Sequence, residues 1–443
     1  MFRRSISLNL NNKHYGLGTA ISMIVGILIG SGIFFKADDI LGFTGGNVGL
    51  SVLVFFIGAF CVIFGNITLS QLAARSDRRG GVLAYFEEFI SEPAAAGFGW
   101  FQIFAYYPSI SVVVSWVAGI YTTMLFGLIP SLELQTAIAL GYLTFFFALN
   151  YFSLKLGGRF QNISTIMKLI PLIGIGLIGF FWKAPVLVPS ETLIVPLEQV
   201  GWGFLAALPA IAFSFDGWVV ATSITHEVKD AKRNMPIALT VGPLLVLAVY
   251  MAYFLGMIAI VGPEYILEHR DNTIYQIGQI LFGEQGGTLI LSFILIAVLG
   301  VVNGLVLGVL RMPQAMALKG MLPKSERIKV INEKTQLSPT AAKLSIFVSF
   351  SWMVVHYLTQ KFGILSGGDV SEIAIVFSYI TYIALYLKVF KLSKNKIVPL
   401  LGILGSLIIV GGGVVSNPTF VPLFLLACSG IFYTGYRYMR KKA

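Results

Sequence analysis

Charge is scarce in this 443-residue chain. Only 12% of its residues are Asp, Glu, Lys or Arg, about half the roughly 25% of an ordinary soluble domain. Cysteine is scarcer still. Cys61 and Cys428 both lie inside apolar runs, which excludes a disulfide framework. The four histidines, His14, His226, His269 and His356, form no cluster, so no metal site and no cofactor are expected. No low-complexity segment or polar domain interrupts the chain. Apolar residues fill the gap: 56% of the chain is hydrophobic, mean hydropathy is +0.84, and there are 35 Phe, 18 Tyr and 6 Trp. One soluble core of this size could not hide so much apolar surface, and a disordered chain would be charged and poor in aromatics. A multispan membrane protein remains. The net charge of +11 then reads as topology, not nucleic-acid binding.

A membrane span needs about 20 apolar residues. Twelve runs qualify, numbered in chain order as spans 1 to 12: about 15–40, 48–72, 96–126, 134–152, 160–181, 202–227, 235–261, 286–318, 340–358, 372–390, 397–415 and 418–436. The first run is too long for a signal-peptide core and no A-x-A-like site follows it, so it reads as a retained span. With the N-terminus inside, 26 of the 31 basic residues fall in cytoplasmic segments and Lys36, Lys183, Arg270 and Lys361 fall outside. That asymmetry predicts both termini in the cytoplasm of a multi-pass cell-membrane protein. Amphipathic stretches are expected between spans 2 and 3, up to Glu92, and at 263–285 between spans 7 and 8.

Helix breakers are unevenly placed. Span 1 holds Gly26 and Gly30-Ser31-Gly32; span 6 holds Phe213-Ser214-Phe215-Asp216-Gly217-Trp218, with Pro209 upstream. Breaks five spans apart, in corresponding positions, are the signature of an inverted repeat with discontinuous helices. Unwound backbone at that depth must be buried or line a cavity. Its N–H groups suit an anionic end and its C=O groups a cationic end, so a zwitterion such as an amino acid fits. The plainer reading of Gly30-Ser31-Gly32 is close helix packing. Asp216 is an intramembrane carboxylate; its side chain can also cap the helix restarting at Gly217, leaving its backbone to serve the ligand. Lys168 lies about 12 Å into span 5, at 1.5 Å per residue. An ammonium at that depth needs carbonyls or an acid, unless its stem snorkels to the cytoplasmic face.

These elements, with Glu227 and Lys229 after span 6, Asn303-Gly304 in span 8, and Arg311 followed by Gly320-Met321-Leu322-Pro323, resemble the amino acid–polyamine–organocation superfamily. Within it the chain is most similar to the L-type amino acid transporter family, among bacterial serine/threonine-exchanger-like members. The resemblance covers nearly the whole chain. It implies an all-α membrane protein of 12 transmembrane helices, a LeuT-like 5+5 inverted repeat with helices 1 and 6 discontinuous. The chain would be one domain over 1–443: a first repeat at about 15–181, a second at about 202–390 and extra helices 11–12 at about 397–436. It implies that the amides of Ser31 and Gly32 take a substrate carboxylate, beside Gly30, and that the carbonyls of Leu28, Phe213 and Asp216, next to Gly217, take the amino group. Phe213 would be the aromatic gate. Lys168 would stand where sodium-coupled relatives bind sodium and tie the first break to span 8. Tyr250, or less directly Tyr253, would add a hydroxyl, and Asn303 would support the site.

The implied activity is sodium-independent exchange of small or medium neutral L-amino acids by alternating access. The alternative is proton-coupled amino acid uptake through Asp216, Glu227 or Lys168. A membrane enzyme would need paired catalytic groups, and a channel a ring of polar residues; neither pattern occurs, so no catalytic residue is assigned. Three departures from the family stand out. Asp230-Ala231 replace the usual Asn-Pro after Lys229, loosening that loop. Val301 replaces a small polar residue two before Asn303. The outer loop from Gly127 to Glu133 has no cysteine, so no disulfide-linked heavy chain is expected and a monomer in the bilayer is the expected state. Gly174-Ile175-Gly176-Leu177-Ile178-Gly179 matches a dinucleotide fingerprint, but no strand precedes it, so it reads as packing. Gly300, Gly304 and Gly308 likewise predict one flat helix face.

Overall fold

The computed structural model describes residues 15–442 apart from 77, 79, 184, 186–193, 223, 224, 226, 227, 366 and 367. The N-terminal Arg3, Arg4, Lys13 and His14, and His226 and Glu227 after span 6, therefore lie outside the described residues. The described chain is helical, with one isolated bridge between Tyr15 and Val228. Among the described residues eleven helices are long and apolar enough to cross a membrane, or twelve when the bent pair Leu17–Leu28 and Gly32–Phe43 is one span. That pair is span 1, kinked by 61°. The others are span 2 (Val48–Ala73), span 3 (Glu92–Leu125), span 4 (Leu132–Phe152) and span 5 (Leu154–Phe181). Span 6 (Leu197–Ser214, then Trp218–Ala221), span 7 (Ala231–Val261) and span 8 (Glu284–Leu318) follow. Span 9 (Pro339–Lys361), span 10 (Val370–Leu392), span 11 (Ile397–Ser416) and span 12 (Phe420–Arg440) complete the set. The expected short pieces are helical: Gly81–Tyr85 with a π-turn at Phe86–Ile90, and Pro263–His269 with Thr273–Phe282.

Several starts follow from capping chemistry. Asn47, Ser91, Ser131 and Ser338 each accept a hydrogen bond from the amide three residues on, at 3.0–3.2 Å, which satisfies one of the donors a helix start leaves free. Ser91 with Pro93 in the first turn starts span 3 at Glu92, four residues before the apolar run. Span 6 departs most from its sequence reading of 202–227. It begins as a short helix at Leu197–Val200, passes through a 3₁₀ stretch at Gly201–Ala207 and becomes α-helical only at Leu208–Ser214. After the break only Trp218–Ala221 is regular.

Prolines in the spans leave carbonyls without a helical donor, and the bilayer offers no water to replace it. Pro108 frees the carbonyl of Phe104, which accepts from Trp352 Nε1 at 2.7 Å. Pro313 frees that of Val309, which accepts from Ser345 Oγ at 2.8 Å. Both donors sit on span 9, so span 9 repairs spans 3 and 8. Spans 5 and 7 touch backbone to backbone: a Cβ on Gly256 would stand 2.6 Å from the Ile175 carbonyl, and one on Gly176 3.0 Å from Ala252. This is the place of the dinucleotide-like glycines. Gly304 faces Gln161 on span 5 and Gly308 faces the Tyr107 ring on span 3, while Gly300 lies against Ser164. The loop before span 7 is anchored despite Asp230-Ala231. The Lys229 amide donates to the Tyr15 carbonyl at 2.9 Å, and Asn234 Nδ2 to the Lys229 carbonyl at 2.7 Å. Asp230 takes a positive φ of 46°, a conformation Asp tolerates better than most residues.

Candidate functional site

Span 1 unwinds at Ile29-Gly30-Ser31. Ile29 is extended (φ −68°, ψ 94°) and Ser31 heads the second segment without capping it through its side chain. The break leaves carbonyls at the end of the first segment and amides at the start of the second. The two sets are treated differently. Lys168, only 6% exposed, donates from Nζ to the Gly26 carbonyl at 3.2 Å and to that of Ile29. The Tyr250 hydroxyl lies 3.2 Å from the Leu28 carbonyl and 2.9 Å from that of Ser214, and shares its proton between them. One phenol thus bridges the two breaks. A cation and a hydroxyl at a helix C-terminal end complement its partial negative charge. The opposing amides of the second segment receive no such side-chain partner, and the Ser31 hydroxyl, buried, has none among the described residues.

Span 6 breaks at Phe215-Asp216-Gly217. Gly217 adopts φ +93°, open to glycine without strain; a Cβ there would stand 3.6 Å from the Ile27 carbonyl of span 1. The Phe213 carbonyl accepts the Asp216 amide at 3.0 Å. Gly32 and Phe213 are pressed together: a Cβ on Gly32 would meet Phe213 Cδ1 at 2.9 Å and Ser214 Cα at 3.0 Å. Around Gly30, by contrast, the nearest atom to such a Cβ is the Gly32 nitrogen at 3.9 Å. The open space at the break therefore lies on the side of the Gly32 amide.

Two sequence expectations turn out differently. Gly217 is the residue at the cap of the restarting helix, with no side-chain cap bond. The Asp216 carboxylate instead accepts the Tyr106 hydroxyl of span 3 at 2.5 Å, with the Gly217 amide also turned toward it. Tyr106 closes a π-turn at Gln102–Tyr106, a local widening that often re-aims side chains at functional sites. Lys168, for its part, makes no bond to span 8 among the described residues. Asn303 points elsewhere: its Nδ2 donates to the Gly157 carbonyl (3.0 Å) and Gln161 Oε1 (3.2 Å), and its Oδ1 accepts from Asn150 Nδ2 (2.8 Å). Gln161 lies about 10 Å along span 5 from Lys168, at 1.5 Å per residue. Asn303 therefore fastens spans 4, 5 and 8 and stands apart from the breaks.

A group of charges that span counting does not reveal lies beside the Phe213 ring. Lys36, counted in the sequence only as an outer basic residue, is 2% exposed and faces Glu372 Oε1 (2.5 Å), Asp369 Oδ2 (2.9 Å) and Asp39 Oδ2 (3.3 Å). Its ammonium is 5.7 Å from the Phe213 ring centre and 5.8 Å from that of Phe35. The signal was present: a lysine five residues past the break and an acid in the first turn of span 10.

Two buried helix breaks in a bundle of membrane-spanning helices, one of them held by a lysine ammonium and a tyrosine hydroxyl, fit the architecture of a membrane transporter. Residues 15–434 match the family model described as amino acid permease, and the chain belongs to that family. It is 27% identical to the serine/threonine exchanger SteT of Bacillus subtilis (strain 168), over 91% of this chain and 92% of that one. Human relatives follow: the Asc-type amino acid transporter 1 (28% identical, 70% of this chain, 60% of the relative) and the large neutral amino acids transporter small subunit 2 (26%, 77% and 64%). The all-α, LeuT-like architecture accords with this membership, and the relatives are transporters and exchangers, not enzymes. The protein is an amino acid transporter of the membrane.

Proposed function

We propose that the protein exchanges small or medium neutral L-amino acids across the cell membrane, without sodium, by alternating access between two five-span repeats. The amides of Ser31 and Gly32, beside Gly30, take the substrate carboxylate; the carbonyls of Leu28, Phe213 and Asp216, next to Gly217, take its ammonium. The single observation that carries this reading is the asymmetry of the first break. Its carbonyls are met by Lys168 and Tyr250, whereas Ser31 keeps a buried hydroxyl without a partner among the described residues. The ammonium of Lys168 supplies the charge that a sodium ion would bring. The amides of the second segment then remain for the substrate carboxylate, and the Leu28 carbonyl keeps a second lone pair for the ammonium. Phe213 covers the site, and Tyr250 couples the two breaks so that they move as one. The termini lie in the cytoplasm, as the basic residues direct, and the chain acts alone as a monomer, without a disulfide-linked heavy chain.

The test is uptake of labelled amino acids into liposomes holding the pure protein, in sodium-free buffer, with the lumen empty or loaded with unlabelled amino acid. Uptake into loaded vesicles only is the expected result. Uptake into empty vesicles that requires sodium or a proton gradient refutes exchange.

A further inference from the structure

Span 10 opens on two buried acids, Asp369 and Glu372, which meet Lys36 on the second segment of span 1. Side-chain exposure is 3% for Lys36, 6% for both span 10 acids and 25% for Asp39. The cluster lies beside the Phe213 gate and borders a cavity of about 150 Å³ lined by Lys36, Asp38, Asp39, Trp116, Val117 and Asp271. Lys36 is therefore the tie between the helix that carries the break and span 10, directly over the gate ring.

The charges do not balance. One ammonium faces three carboxylates. From the same segment Asp38 adds a fourth, and from the loop between spans 7 and 8 Asp271 adds a fifth, against Arg270. His356 of span 9, fully buried, faces Asp369 and Lys36 with neither ring nitrogen hydrogen-bonded among the described residues. Tyr121 of span 3 and Tyr253 of span 7 also lie near these acids; the Tyr121 hydroxyl donates to the Phe34 carbonyl at 3.2 Å. Carboxylates sharing one buried cation cannot all ionise, because like charges at this range repel strongly away from water. Separated and wetted, the same acids would ionise at neutral pH.

We propose that Lys36, Asp39, Asp369 and Glu372 form a proton-binding latch that shuts the substrate path over Phe213 and releases a proton when span 1 and span 10 part. The inference rests on the alternating-access reading but adds a ligand, the proton, and a place for it. The sign follows from linkage. A carboxyl whose pKa is higher in the closed state binds its proton on closing, so acid favours the closed form, and the preference is lost as pH rises through the closed-state value. Asp271, in the loop bordering the cavity, feels the same crowding: it is pushed up to about 6 by burial and by Asp39, against Lys36 and Arg270.

The experiment reads opening without substrate, so failure of the proposed substrate site leaves it intact. Val117→Cys, in the cavity wall, is labelled with N-ethylmaleimide in the full chain in detergent; Cys61 and Cys428 are buried. Rates are compared between the native latch and Glu372→Gln at pH 5.5 and 8, and the ratio cancels the thiol's own titration. The native latch should label several-fold faster than Glu372→Gln at pH 8, with the ratio falling toward one at pH 5.5, by about tenfold per pH unit at most for one proton. Lys36→Met should label faster than the native latch at pH 8, and Lys36→Arg should restore slow labelling. Asp39→Asn, at the most exposed member, replaces Glu372→Gln if that variant does not run as a single species on size exclusion. A ratio independent of pH removes the proton; a Lys36→Met rate equal to the native one removes the latch.

Discussion

Replacing Lys168 with methionine keeps most of the side-chain volume and deletes the ammonium. In the structure that ammonium satisfies the Gly26 and Ile29 carbonyls at the first break. Methionine offers neither a donor. A buried carbonyl left bare costs about 1–3 kcal/mol in a soluble core, whereas hydrogen bonds within membranes average about 0.6 kcal/mol in mutant cycles. Taking about 1 kcal/mol for each carbonyl gives about 2 kcal/mol, a factor of roughly 30 in the population of the intact break. Lys168→Met should therefore lower exchange in loaded liposomes about 30-fold, at equal amounts of reconstituted, monodisperse protein. Sodium-free exchange within threefold of the native rate would falsify the placement of Lys168 as the fixed cation of the site.

Gly32→Val should abolish exchange while the protein still elutes as a single species, because its side chain would enter the space of Phe213 Cδ1 and the Ser214 backbone; native uptake by this variant would contradict the site. Ser31→Ala removes a hydroxyl with no partner among the described residues, so thermal stability should hold while the apparent KM rises about three- to tenfold, the worth of one hydrogen bond of about 1 kcal/mol. An unchanged KM would show that no ligand meets that hydroxyl. Asn303→Ala should do the reverse, lowering Tm through loss of its bonds to Asn150, Gly157 and Gln161 with KM unchanged, as thermal scans and uptake kinetics on the same preparation can check.

Membrane residence, the span pattern and the position of both breaks were legible in the sequence because each rests on local composition. A bilayer demands long apolar runs, and unwinding demands glycine or proline where it happens. Gly30-Ser31-Gly32 and Gly217 stand out in a linear reading for that reason. Lys168 was legible too, since an ammonium midway along an apolar run has few reasons to be there. Capping residues fixed several helix starts, though the start of span 3 needed Ser91 and Pro93, which lie before its apolar run.

Which carbonyls Lys168 meets was decided only in three dimensions. A lysine stem can turn to any neighbouring helix, and in the folded bundle it turns to Gly26 and Ile29 of span 1. The same holds for Asp216, whose carboxylate finds Tyr106 because a π-turn in span 3 presents that hydroxyl. Asn303 sits in a family motif, yet its partners lie on spans 4 and 5, away from the breaks. Lys36 and Glu372 are 336 residues apart, and nothing in either neighbourhood announces the other. Sequence sets what each helix must bury and where it must bend. The pairing of charges across helices depends on rotation and packing, which no single span encodes.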